Sequence, residues 1–177
     1  MKKLNNYITE RLKLTSKTSQ YSCQPQYKDE LRKILEERLK NDNNADLNNI
    51  DVSLITDMSY LFKGLDPHNI DINEWDVSNV ENMAFMFSDC KNFNCDISKW
   101  NVSNVENMEN MFYNCENFNS DLSEWNVSKV TRMAFMFSWC RNFNCDLNKW
   151  KTSKVKNMFN IFLYCDSLKN IPNWYRR

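Results

Sequence analysis

The chain has 177 residues, with 23 lysines and arginines against 23 aspartates and glutamates, one histidine, one glycine and three prolines. Balanced charge gives no overall drive towards nucleic acid, and so little glycine and proline argues against a phosphate-cradling loop or a hinged second domain. Asn5, Asn6, Glu10, Arg11 and Lys13 break up residues 4–20, so neither a secretory signal nor a membrane-spanning helix is expected, and the expected compartment is the cytoplasm.

Residues 1–20 make the first segment. Leu4, Tyr7, Ile8 and Leu12 recur at spacings of three and four, which predicts a small amphipathic helix. These four residues are a candidate docking segment, packed on the rest of the chain or reaching into a larger assembly. Residues 21–50 read as a helical cap and a first strand. Leu31, Ile34, Leu35 and Leu39 form a helical stripe over residues 26–40, with Pro25 near its start and Asn41-Asp42-Asn43-Asn44 at its end. The job expected of this helix is to cover the open edge of the first repeat unit.

Residues 51–177 carry about five units of 25 residues. Trp75, Trp100, Trp125 and Trp150 mark the period, as do Met58, Met83, Met108, Met133 and Met158, and Phe62, Phe87, Phe112, Phe137 and Phe162. A period in this range predicts units that bury their apolar sides against one another. Within each unit the Trp–x–Val alternation predicts a short strand. The spacing Val105, Met108, Met111, Phe112 predicts a helical or turn-like return. Phe93, Phe118 and Phe143 are expected to stack inside, with His68 and Leu168 in the same column of the first and last units. The fold class expected is therefore an α/β solenoid, leucine-rich-repeat-like, with parallel short strands on one face and an N-terminal helical cap.

One copy of the unit runs through Phe112, Cys115, Phe118, Asn119, Asp121, Leu122, Trp125, Val127, Ser128 and Val130, and Met133, Met136 and Phe137 begin the next. This pattern resembles the BspA-like leucine-rich repeats, in the subgroup with mycoplasma-type repeats of unknown function. The resemblance implies a leucine-rich-repeat solenoid with a binding or adhesive role and no enzyme activity. The opening residues also loosely resemble leader-like segments of some tailed-phage proteins, which adds virion association to the compartments considered; export by a non-classical route is the other alternative to the cytoplasm.

Few residues invite chemistry. Cys90, Cys115, Cys140 and Cys165 recur at intervals of 25, and a column of thiols is not a tetrahedral zinc site. A Cys90–Cys95 or Cys140–Cys145 disulfide is conceivable, though a cytoplasmic setting disfavours it. His68 has no second histidine to work with. Asp71, Asp96, Asp121 and Asp146 are read as turn-holding side chains. No catalytic residue, metal or cofactor is expected.

The units differ most in charge and in two columns. Residues 51–75 hold five acids and one base, and residues 101–125 five acids and no base, whereas residues 126–150 hold one acid and four bases and residues 151–177 one acid and six bases. Phe85 and Phe135 share a column with Tyr60, Asn110 and Asn160, and Trp139 shares another with Gly64, Asp89 and Asn114. Columns that are not uniformly apolar place some aromatics towards solvent, where they serve as contact anchors. Trp139, Phe135, Arg132, Arg141 and Tyr164 are the candidate protein-binding residues. The function expected is a non-enzymatic protein–protein interaction module on the leucine-rich-repeat solenoid, with an unidentified protein as partner. The alternative is a structural component of a bacterial-surface or phage or viral assembly, with self-association. Neither nucleic acid nor membrane insertion is expected.

Overall fold

A computed structural model describes residues 21–175 of the chain. The candidate docking residues Leu4, Tyr7, Ile8 and Leu12 lie outside the described residues.

Helix α1 spans Lys28–Asn41. Asp29 and Glu30 occupy its first turn, and Arg38 and Lys40 its last, the order that suits the helix dipole. The Glu30 carboxylate also accepts the Gln26 N–H at 2.8 Å, just ahead of the first turn. Leu31, Leu35 and Leu39 are buried, each one helical turn from the next. The helix stops where Asp42 turns extended, its N–H bonded to the Arg38 carbonyl.

The remainder corrects the expected fold class. Among the described residues α1 is the only helix and there is no strand, so the α/β leucine-rich-repeat solenoid with a strand in every unit is not formed. Parallel pairing is confined to single-residue bridges, such as Asp57 with Asn82, Asn82 with Asn107 and Asn107 with Arg132. Turns occupy both flanks of the expected Trp–x–Val strand: the Trp100 N–H bonds Ile97 at 3.1 Å and the Val105 N–H bonds Val102 at 3.0 Å. The expected return from Val105 to Phe112 is likewise turns, with the Met111 N–H on the Met108 carbonyl at 3.2 Å. Asn110 and Asn114 have φ of 54° and 59°. A backbone that turns every three residues and enters the left-handed region at least twice in each unit can run neither as a strand nor as an α-helix.

Hydrogen bonds between distant residues hold these turns together. The N–H groups of Met83, Phe85, Phe87 and Asp89 donate to the carbonyls of Asn107, Glu109, Met111 and Tyr113 at 2.8 to 2.9 Å. Met108, Asn110, Phe112 and Asn114 donate in the same way to Arg132, Ala134, Met136 and Ser138. In both rows the earlier residue donates its N–H and the later one offers its carbonyl. A second line runs backwards, from Glu106 to Glu81, Thr131 to Glu106 and Lys156 to Thr131. Along these rows irregular backbone is thus buried with its N–H groups paired.

The core lies between these lines. Phe62, Phe87, Phe112, Phe137 and Phe162 form a row with successive ring centroids 5.0 to 5.9 Å apart. Phe93, Phe118 and Phe143 make a second row at 5.8 and 6.0 Å. The buried tryptophans keep their indole N–H satisfied: Trp100 donates to Ile72 at 3.0 Å and Trp125 to Ile97 at 3.2 Å. His68 does not join the phenylalanine row. It is exposed, while Pro67 beside it is buried. Asp71, Asp96, Asp121 and Asp146 each accept the N–H two residues onward, at 2.9 to 3.1 Å.

Candidate functional site

The two uneven columns have a backbone cause. Tyr60, Phe85, Asn110, Phe135 and Asn160 all have positive φ, as do Gly64, Asp89, Asn114, Trp139 and Tyr164. Glycine, asparagine and aspartate tolerate that conformation, whereas bulky side chains are strained there. Five aromatics therefore stand where the backbone favours small polar residues, and Tyr60 and Tyr164 are each 50% exposed.

The structure brings together three of the five sequence-derived candidates. Trp139 and Tyr164 lie 4.1 Å apart between ring centroids. The Arg141 guanidinium sits 5.1 Å from the Trp139 ring and pairs with Asp166 at 2.8 Å. Phe135 instead meets Phe159 edge-on at 5.4 Å. Arg132 contributes its backbone, its carbonyl accepting the Met108 N–H at 2.9 Å. Among the described residues its side chain makes no ion pair.

Sequence reasoning missed the end of the molecule on which this group borders. The N–H groups of Met133, Phe135, Phe137 and Trp139 donate to Asn157, Phe159, Ile161 and Leu163 at 2.7 to 3.0 Å. The corresponding N–H groups of Met158, Asn160, Phe162 and Tyr164 find no hydrogen-bond acceptor among the described residues. Beside them opens a groove of about 730 Å³, lined by Phe159, Phe162, Leu163, Leu168, Ile171 and Tyr175 among others. Phe159 is 63% exposed and Ile171 46%. Phe159 stands where earlier units place Ala84, Glu109 and Ala134; that substitution was the one visible signal.

Helix α1 covers part of the opposite end. Arg32 of α1 donates through Nη1 to the carbonyls of Tyr60, Leu61 and Lys63 at 3.2, 2.8 and 3.0 Å. Lys28 reaches Asp57 at 2.8 Å and Ser59 at 2.9 Å. Burial alone would raise the Asp57 carboxyl, but Lys28 and Ser59 hold it below its ordinary value.

The thiols belong to the core. All seven cysteines are free. Cys90, Cys115, Cys140 and Cys165 each donate to a phenylalanine carbonyl, those of Phe62, Phe87, Phe112 and Phe137, at 2.9 to 3.3 Å. Burial pushes Cys90 up to about 12 and Cys115 and Cys140 well above their ordinary range. Thiols held protonated in this way are poor nucleophiles and poor metal ligands. Among the described residues no group of three histidine, cysteine or acidic side chains could hold a metal ion, and no helix is long and apolar enough to cross a membrane.

A family model described as "Mycoplasma protein of unknown function, DUF285" matches residues 30–132 and 101–177. The chain belongs to this family. Membership in DUF285 replaces the resemblance to BspA-like leucine-rich repeats. The absence of strands among the described residues removes the leucine-rich-repeat solenoid on which the interaction-module function rested. No curated protein and no solved structure matches this DUF285 chain.

Proposed function

We propose that the chain is a structural component of a larger bacterial-surface or phage or viral assembly, joined to it through its last unit. One observation carries the reading: the two ends of the hydrogen-bonded stack are unlike. Arg32 and Lys28 occupy the carbonyl end. The N–H end leaves Met158, Asn160, Phe162 and Tyr164 without acceptors among the described residues, beside exposed Phe159, Leu163 and Ile171. Unpaired backbone donors next to apolar surface form a template for another chain. In this reading Trp139, Arg141 and Tyr164 flank the joint, and neither catalysis nor a cofactor takes part.

Sedimentation of extracts from the cells that naturally make the protein tests it. The expected result is a fixed ratio of the chain to other proteins in particle or envelope fractions. A chain that stays monomeric in those extracts, with none in the heavy fractions, overturns the reading.

A further inference from the structure

We propose that the open N–H end takes an extended acidic segment of a neighbouring protein, which lays its carbonyls on Met158, Asn160, Phe162 and Tyr164 and its apolar side chains in the adjoining groove. The proposal deepens the assembly reading and rests on it for the presence of that neighbour.

Three observations select the occupant. The first is direction. Apart from Gly64, every N–H in the rows ending at Met133, Phe135, Phe137 and Trp139 meets a carbonyl of the following unit, so the last row calls for a segment that offers carbonyls at alternate residues. The second is charge. Residues 151–177 hold Lys151, Lys154, Lys156, Lys169, Arg176 and Arg177 against Asp166 alone, and complementary charge favours carboxylates on the incoming chain. The third is that the molecule already contains such a segment. Residues 105–117 carry Glu106, Glu109 and Glu116 and no base. Through the carbonyls of Asn107, Glu109, Met111 and Tyr113 they satisfy the same four positions of the preceding unit.

The same observations count against a second copy. Two open ends face to face would set donors against donors and bases against bases. A head-to-tail arrangement would need the carbonyl end, where Arg32 already occupies the carbonyls of Tyr60, Leu61 and Lys63. Residues 1–20, with five bases and one acid, have the wrong charge for this end.

The experiment measures amide hydrogen exchange on the full chain with a synthetic peptide of residues 105–117. A control peptide carries Glu106→Lys, Glu109→Lys and Glu116→Lys. The first peptide is expected to slow exchange at Met158, Asn160, Phe162 and Tyr164 by roughly tenfold or more, and the lysine version to leave it unchanged. The variant Leu163→Asp with Ile171→Asp should lose the effect while exchange at Met83 and Met108 stays slow, which reports an intact fold. Three results overturn the proposal: no protection at saturating peptide, equal protection by the lysine peptide, or protection that grows with protein concentration alone, the mark of a second copy. Peptide protection without heavy particles in cell extracts would sink the assembly reading and leave this one standing. Heavy particles without peptide protection would do the reverse.

Discussion

Trp139 has a φ of 65°, in a position that Gly64, Asp89 and Asn114 fill in other units. Its indole loses backbone comfort and gains Tyr164 and Arg141 as neighbours. Replacing it separates the two effects. Trp139→Asn and Trp139→Val both remove the ring, but a β-branched residue is far more strained at positive φ. Trp139→Val is expected to be less stable than Trp139→Asn by about 1–2 kcal/mol in urea unfolding. Equal stabilities would mean that the backbone there relaxes freely. The thiols give a residue-scale expectation for pH. An unfolded cysteine releases its proton near 9.0, whereas burial holds Cys95 and Cys145 to about 11 and Cys90 and Cys165 to about 12. Below pH 9.0 both states are protonated and the thiols leave stability unchanged. Above it only the unfolded chain ionises, so stability falls as pH rises through that window. Urea midpoints taken on both sides of pH 9.0 test this, and a midpoint that does not drop on the alkaline side contradicts the burial of the thiols.

At the scale of elements, α1 is both wedge and cap. Leu35 is fully buried between Leu31 and Leu39, and Leu35→Ala should cost about 2–5 kcal/mol. Arg32 acts differently, since one guanidinium nitrogen serves three carbonyls of the first unit. Arg32→Met keeps most of the aliphatic stem and leaves those carbonyls to find other donors, with a cost of about 1–3 kcal/mol. Arg32→Lys should recover only part, because an ammonium cannot reach those carbonyls and also replace the bond that Arg32 Nε donates to Glu36 at 2.7 Å. A denaturation series over the three variants checks the order, and full rescue by lysine would show that charge alone matters. The helix was legible because its stripe of leucines follows the helical period and its ends carry suitable residues. The turns that replaced the expected strands were not. Trp–x–Val alternates as a strand would, yet hydrogen bonds from Trp100 to Ile97 and from Val105 to Val102 bend the chain on both sides.

Across the whole molecule, stability is expected to be graded along the stack. Met83 and Met108 donate to Asn107 and Arg132 at 2.9 Å, while Met158 and Asn160 have no acceptor among the described residues. Amide exchange at the last pair should be faster by roughly a hundredfold or more; uniform protection along the chain would show that the end is covered. A buried ring from the middle, such as Phe112, touches phenylalanines on both sides. Phe112→Ala should then cost about 3–5 kcal/mol, read from the unfolding midpoint.

The amino-acid sequence by itself determined which side chains share a column. A period of 25 aligns Phe62 with Phe87 and Phe112, and burying them in register needs nothing but their apolar surface. It also set the acidic middle, the basic end and the helical stripe of α1. Only the tertiary structure decided the backbone conformation within each unit. A spacing of 25 says which residues meet and nothing about φ and ψ between them, and aromatics at left-handed positions masked the asparagine and aspartate pattern that would have announced turns. The tertiary structure also decided which end is open. Whether an N–H is satisfied depends on a partner two dozen residues away, so the acceptor that Met133 finds, and that Met158 lacks among the described residues, appears only once the units are stacked.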